Sequence, residues 1–263
     1  MRIVPARNGW SWLVTGFSLF RKNPPMWLFL VFTYWLGLAL ISQIRYVGPA
    51  ASTVLLPAFS VSFMVVCAVI ERGGVPRPEL LISGFRSEPA TLIVLGALYL
   101  LSTVAVLGLA SLSDSGALLL WFLFGRRPPA EAVQDSSLLS AMLIAALAAA
   151  PVAMAFWFAP VLAAWTRIGA AQSLFYSFFA VWRNWRAFFV YASAVFAAFV
   201  LLLFAVRVLT LLTEGKEALA QSFALVMSLI ALPTLFASFY ASYRDVFPEN
   251  AVPSEPPSNR ESP

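Results

Sequence analysis

Six stretches of this chain are apolar for long enough to cross a membrane, and that restricts the fold more than any motif does. They cover residues 25–44, 49–70, 90–112, 138–165, 187–212 and 218–243. A transmembrane helix needs about 20 mostly apolar residues. No Asp or Glu lies within these runs away from their ends. In hydrocarbon each backbone N–H and C=O must be paired without help from water, so spanning segments of this length form helices. The sequence therefore predicts an all-α, polytopic helical membrane protein with about six transmembrane helices, forming a single integral membrane domain over residues 1–247. Composition agrees: 61% of the residues are hydrophobic and 11% charged, whereas soluble domains carry about 25% charged residues.

The rest of the chain reads as connections. Residues 117–124 (ALLLWFLF) are apolar but only eight long, which suits an interfacial or re-entrant piece, or a continuation of the third helix past Ser113–Gly116. The polar stretch Arg126–Ser137, with Pro128-Pro129, reads as a loop. Residues 248–263 (PENAVPSEPPSNRESP) are proline-rich and polar, the composition of a disordered tail. The N-terminus lacks an apolar core followed by a cleavage site, so the first span is expected to direct insertion itself.

Lys and Arg set the orientation. With six spans, one side collects Arg2, Arg7, Arg21, Lys22, Arg72, Arg77, Arg86, Arg167, Arg183, Arg186, Arg244 and Arg260. The other side collects Arg45, Arg126, Arg127, Arg207 and Lys216. Twelve against five follows the positive-inside pattern and predicts that both termini are cytoplasmic. The net charge of +5 has the same origin. No basic domain or basic tail is present, so nucleic acid is not an expected partner; the bilayer, with anionic lipid on its cytoplasmic face, is.

Ahead of two spans the apolar residues fall at helical spacing. Trp10, Leu13, Val14, Phe17 and Phe20 form one stripe, opposite Ser11, Thr15, Ser18 and Lys22. Ala171, Leu174, Phe175, Phe178, Trp182 and Trp185 form another, with Ser173, Ser177 and Arg183 expected to face away. Both segments end on an aromatic, a cation and an amide: Phe20-Arg21-Lys22-Asn23 and Trp182-Arg183-Asn184. A weaker copy, Gly84-Phe85-Arg86-Ser87, precedes the third span. Tryptophan sits at headgroup level because its ring is apolar and its N–H polar, while arginine reaches phosphate. Arg21, Lys22, Arg86, Trp182, Arg183, Trp185 and Arg186 are therefore the candidate lipid-headgroup or interface contacts. Three units follow, each an amphipathic helix, a span and a returning span. The returning spans carry Pro57, Pro160 and Pro233 before apolar and small residues. The alanines between Ala145 and Ala155 make the fourth span smooth, as a central element of a bundle would be.

The segments Val4-Pro5-Ala6-Arg7-x-Gly9-Trp10-x-Trp12, Phe156-Trp157-Phe158-Ala159-Pro160 and Phe175-x-Ser177-Phe178-Phe179-Ala180-x-Trp182-Arg183-Asn184-Trp185-Arg186-Ala187-Phe188 resemble an uncharacterised family of proteobacterial inner-membrane proteins. The resemblance covers most of residues 1–245. It implies an inner-membrane location and a multi-pass architecture, and it brings no catalytic residue with it.

Several chemistries are excluded. The chain has no histidine and one cysteine, Cys67, which removes histidine proton relays, Ser-His-Asp triads, thiolate clusters and most zinc or haem sites. Phosphate-loop and dinucleotide fingerprints are absent as well. No catalytic residue, metal site or cofactor is expected. Arg207 is the one charge well inside a run, five residues from its end. It either snorkels to the interface or lines a cavity. Two functions remain: a non-enzymatic accessory or membrane-organising protein, or a permease or lipid-handling transporter. The transporter would need a cavity lined by Arg207, Tyr99, Tyr191 or Tyr240.

Overall fold

A computed structural model describes residues 1–44, 47–125, 136–213 and 217–248. Its described regular structure is helical. The elements are α1 (Asn8–Lys22), α2 (Pro24–Ser42), α3 (Gly48–Glu71), a 3-10 turn (Pro78–Ile82), α4 (Ser83–Arg86), α5 (Pro89–Asp114) and α6 (Ala117–Phe124). They continue with α7 (Ser136–Phe156), α8 (Ala159–Thr166), α9 (Ala170–Arg183), α10 (Trp185–Leu212) and α11 (Glu217–Val246). Six segments are long and apolar enough to cross a membrane: Pro24–Ser42, Gly48–Glu71, Pro89–Asp114, Ser137–Thr166, Trp185–Leu212 and Ala218–Val246. The shortest, at 19 residues, reaches about 28 Å at the helical rise, the depth of a hydrocarbon core. The six apolar runs read in the sequence coincide with these segments within a few residues. Arg45, Arg126, Arg127, Glu214, Lys216 and Arg260, the Arg126–Ser137 loop up to residue 135, and the tail beyond residue 248 lie outside the described residues.

Local chemistry explains the helix ends. Asn23 separates α1 from α2; its carbonyl accepts the Trp27 N–H at 3.2 Å and its side-chain oxygen the Met26 N–H at 3.4 Å. Pro24 and Pro25 then occupy positions whose N–H groups would be unpaired in any case. Helix α5 ends where Ser115 and Gly116 take left-handed backbone angles, φ 54° and 85°. The buried Asp114 carboxylate accepts the Gly116 and Leu118 N–H groups at 2.9 and 2.8 Å, which starts α6. Residues 117–124 thus form a separate two-turn helix, too short to cross. The fourth run also differs from a single smooth helix: it breaks at Trp157–Phe158, and Pro160 opens α8 instead of kinking a helix interior. The interior prolines are Pro57, Pro151 and Pro233.

The described residues form two compact units. The first comprises Met1–Val31, Phe63–Pro78 and the chain from Arg183 on; the second comprises Phe32–Ser62 and Glu79–Trp182. In the first unit α1 packs on α10 and α11. Close approach is possible because glycine faces backbone: a Cβ at Gly9 would overlap the Ala187 carbonyl, and one at Gly16 the Thr234 carbonyl. Trp12 fills the angle, its ring 5.1 Å from Phe188 and 6.0 Å from Tyr191. Trp27, Phe63 and Phe236 stack in series at 6.2 and 4.2 Å.

In the second unit α5 packs on α6, α7 and α8. One cluster joins Ala58, Val61, Leu92, Leu95, Ala159 and Ala163; a second joins Ala110, Leu118, Leu138 and Ala141. Helix α7 is not a central element of its unit. Ala141 is buried against α5, but Leu139, Met142, Leu143, Ile144 and Leu147 are exposed. Ala145, Ala148 and Ala149 are half-buried, whereas Ala146 and Ala150 share the exposed side with Leu143 and Leu147.

Small polar residues make the joints. The Ser177 hydroxyl of α9 accepts the Phe158 N–H at 2.8 Å and donates to the Met154 carbonyl at 2.9 Å, so the chain break at Trp157–Phe158 is satisfied by a neighbouring helix. Ser173 and Ser177 are fully buried. They do lie opposite the stripe, whose Phe175 and Trp182 are exposed, and their face is taken by helix packing, where small side chains let the backbones approach. The Ser62 hydroxyl likewise accepts the Gly84 N–H at 3.0 Å and donates to the Ala58 carbonyl at 3.1 Å.

These joints expose a repeat that the prolines alone only hinted at. Leu56-Pro57-Ala58 is followed by Ser62-Phe63, and Leu232-Pro233-Thr234 by Ser238-Phe239 at identical spacing. In each unit a glycine from a short amphipathic element seats against the carbonyl one residue after the proline: Gly84 on Ala58, and Gly16 on Thr234.

Candidate membrane-interface site

The N-terminal segment is fixed at both edges. The Arg2 N–H donates to the Val246 carbonyl at 2.8 Å, and the Arg2 guanidinium pairs with Asp245. Asp245 also accepts Asn8 Nδ2 at 2.7 Å and Trp12 Nε1 at 2.9 Å, so one carboxylate joins the N-terminal segment, α1 and the end of α11. On the other edge Asn184, 2% exposed, accepts the Val4 N–H at 2.8 Å and donates to the Arg2 carbonyl at 3.1 Å. Its position at the α9–α10 junction matches that of Asn23 before α2, but its side chain is spent on the N-terminus and caps no helix.

Two depressions flank this segment. One, of about 300 Å³, is lined by Arg2, Asn8, Trp12, Glu71, Tyr240, Arg244 and Asp245, among others. Glu71 accepts the Tyr240 hydroxyl at 2.7 Å and pairs with Arg244. Its two carboxylates are thus matched by two arginines, and its polar groups mainly satisfy one another. This is a structural clamp. The second, of about 450 Å³, lies between Ile3-Val4-Pro5-Ala6 and Arg183-Asn184-Trp185-Arg186. Arg183 and Arg186 are exposed, and the Arg186 guanidinium sits 5.6 Å from the centroid of the Trp185 ring, within cation–π reach.

The groove brings together three of the residues singled out from sequence, Arg183, Trp185 and Arg186. Trp182 is 60% exposed in the last turn of α9. Arg21 and Lys22 are exposed at the end of α1, with Arg21 5.9 Å from the Phe17 ring centroid. Arg86 is the exposed last residue of α4. Arg207 is exposed on α10, 21 residues beyond Arg186 and therefore about 31 Å along the helix. Of the other residues named for a cavity, Tyr240 binds Glu71, Tyr191 shares a 2.8 Å hydrogen bond with Ser238, and Tyr99 packs its ring 5.2 Å from Phe156. Sequence reasoning missed both carboxylate networks, Asp245 with Asn8, Trp12 and Arg2, and Glu71 with Tyr240 and Arg244. The four-residue spacing of Asn8 and Trp12 puts both on one face of α1, but nothing local links them to Asp245.

Six apolar spans and short helices that expose aromatic and cationic residues define a polytopic α-helical membrane protein. The chain is 37% identical over 250 residues to a probable inner membrane protein of Burkholderia thailandensis, an alignment that covers 93% of this chain and 92% of that protein. It belongs to the same family. No family model and no solved structure matches it.

Proposed function

We propose that this is a non-enzymatic inner-membrane protein that organises its bilayer, or partners within it, through amphipathic helices on the cytoplasmic surface, with both termini cytoplasmic. One observation carries the reading. Helices α1 and α9 each bury one face in their own unit, through glycines, Trp12 and Leu19 on α1 and small residues on α9, and leave large aromatic residues uncovered on another. On α1, Gly9, Trp12, Gly16 and Leu19 are buried, while Trp10, Val14 and Phe17 are 60%, 53% and 43% exposed. On α9, Ser173, Ser177 and Ala180 are buried, and Phe175, Phe179 and Trp182 are 58%, 41% and 60% exposed. Water makes such faces unfavourable, and the headgroup boundary makes them favourable. Phe20 departs from the stripe read in the sequence: it is buried and helps hold α1 down. Arg21, Lys22, Arg86, Arg183 and Arg186 then serve as cationic contacts for anionic lipid, worth about 1 kcal/mol each near a charged surface.

Spin labels at single cysteines along α1 test this in reconstituted full-length protein. Labels at Trp10, Val14 and Phe17 should be accessible to oxygen, and labels at Ser11, Thr15 and Ser18 to a water-soluble relaxant. Uniform aqueous accessibility would refute an interfacial α1.

A further inference from the structure

We propose that the groove between residues 3–6 and 183–186 binds the phosphodiester headgroup of an anionic phospholipid, one per chain. The inference rests on the interfacial reading above and adds a defined site to it. Two cations converge there, and among the described residues neither Arg183 nor Arg186 has a carboxylate partner. The polar depression on the other side of the N-terminal segment differs in that its arginines are matched by Glu71 and Asp245. A groove with two unmatched guanidinium groups attracts an anion, and the planar fork of arginine suits phosphate oxygens.

The walls are held in place. Asn184 is buried between them and bonds to both Arg2 and Val4, so the N-terminal wall stands at a fixed place beside the arginines. The site is preorganised, and an occupant does not have to order the chain around itself.

The surroundings choose between a soluble phosphate and a lipid. Ile3 on one wall is 59% exposed, and Trp185 and Phe189, one helical turn apart on α10, are 57% and 65% exposed. A small phosphate ion has no use for uncovered apolar shoulders. A phospholipid covers them with its glycerol and upper acyl chain while its phosphate meets the arginines. Trp185 serves both ends, its ring beside Arg186 and more than half of its surface left uncovered for an apolar partner.

Native mass spectrometry of the full-length protein, released from nanodiscs of phosphatidylcholine doped with phosphatidylglycerol, tests the site. The expected result is retention of one phosphatidylglycerol per chain. R183Q/R186Q should weaken retention roughly thirtyfold, as expected for two cations facing an anionic headgroup. R207Q, on the same helix but remote from the groove, should leave it unchanged. N184A removes no charge yet should also weaken it, because the N-terminal wall is released. Equal retention of phosphatidylcholine, or equal losses in R207Q and R183Q/R186Q, would overturn the proposal. Displacement by millimolar inorganic phosphate would overturn the lipid as occupant. If the spin-label pattern of α1 holds and no phosphatidylglycerol is retained, the groove fails while the interfacial reading stands; if the pattern fails, both fall.

Discussion

Asn184 stands between two tryptophans and two arginines, in a stretch whose neighbours all face outward, yet it is 2% exposed. Its amide is matched to two backbone groups, one donor and one acceptor, across 180 residues of chain. Asn184→Ala leaves the buried Val4 N–H without its acceptor, a loss of about 1–3 kcal/mol, read as a lower melting temperature in detergent. Asn184→Asp keeps the acceptor but no longer donates to Arg2, and should fall between the two. Asp245→Ala should destabilise by at least as much, since three donors lose their acceptor. Glycines make a sharper contrast. A side chain at Gly16 meets the backbone of α11, so Gly16→Ala forces a helix apart. Gly108 faces open space, and Gly108→Ala should be neutral or stabilising by about 0.5–1 kcal/mol. Equal melting temperatures for these two variants would contradict the packing of α1.

The elements themselves were largely legible in the sequence. Spans of this length announce themselves by hydropathy, and Asn23 with Pro24-Pro25 marks a helix start that local chemistry alone dictates. The stripe of α1 was legible as amphipathic, but its two faces were not. Ser173 and Ser177 look like solvent-facing residues because serine is polar; both are buried, the Ser173 hydroxyl bonded within its own helix and the Ser177 hydroxyl completing the backbone at the break between α7 and α8. Helix packing in membranes selects small residues on contact faces, so polarity misleads there. The Asp245 and Glu71 networks were illegible for another reason: each joins segments far apart in sequence through single carboxylates. Ser177→Ala, which orphans the Phe158 N–H, should cost about 1–3 kcal/mol. Ser18→Ala, on the exposed face of α1, should cost little. If Ser177→Ala melts like the parent protein, the joint contributes nothing.

At the scale of the whole molecule, the repeated Leu-Pro turn with its serine five residues after the proline points to one hairpin-and-surface-helix plan used more than once, with each short amphipathic element seated on a returning span. That plan has meaning only if the surface helices share one side of the membrane, the cytoplasmic side in the function proposed above. The measurement that tests this most directly is labelling of single cysteines in a Cys67→Ala background with a membrane-impermeant maleimide, in intact and then permeabilised cells. Cysteines at Ser11 in α1, Val75 before α4 and Gln172 in α9 should react only after permeabilisation, whereas one at Gln43 should react in intact cells. Labelling of Ser11 or Gln172 from outside would take that helix off the cytoplasmic face, and the account of a cytoplasmic membrane-organising surface would fail.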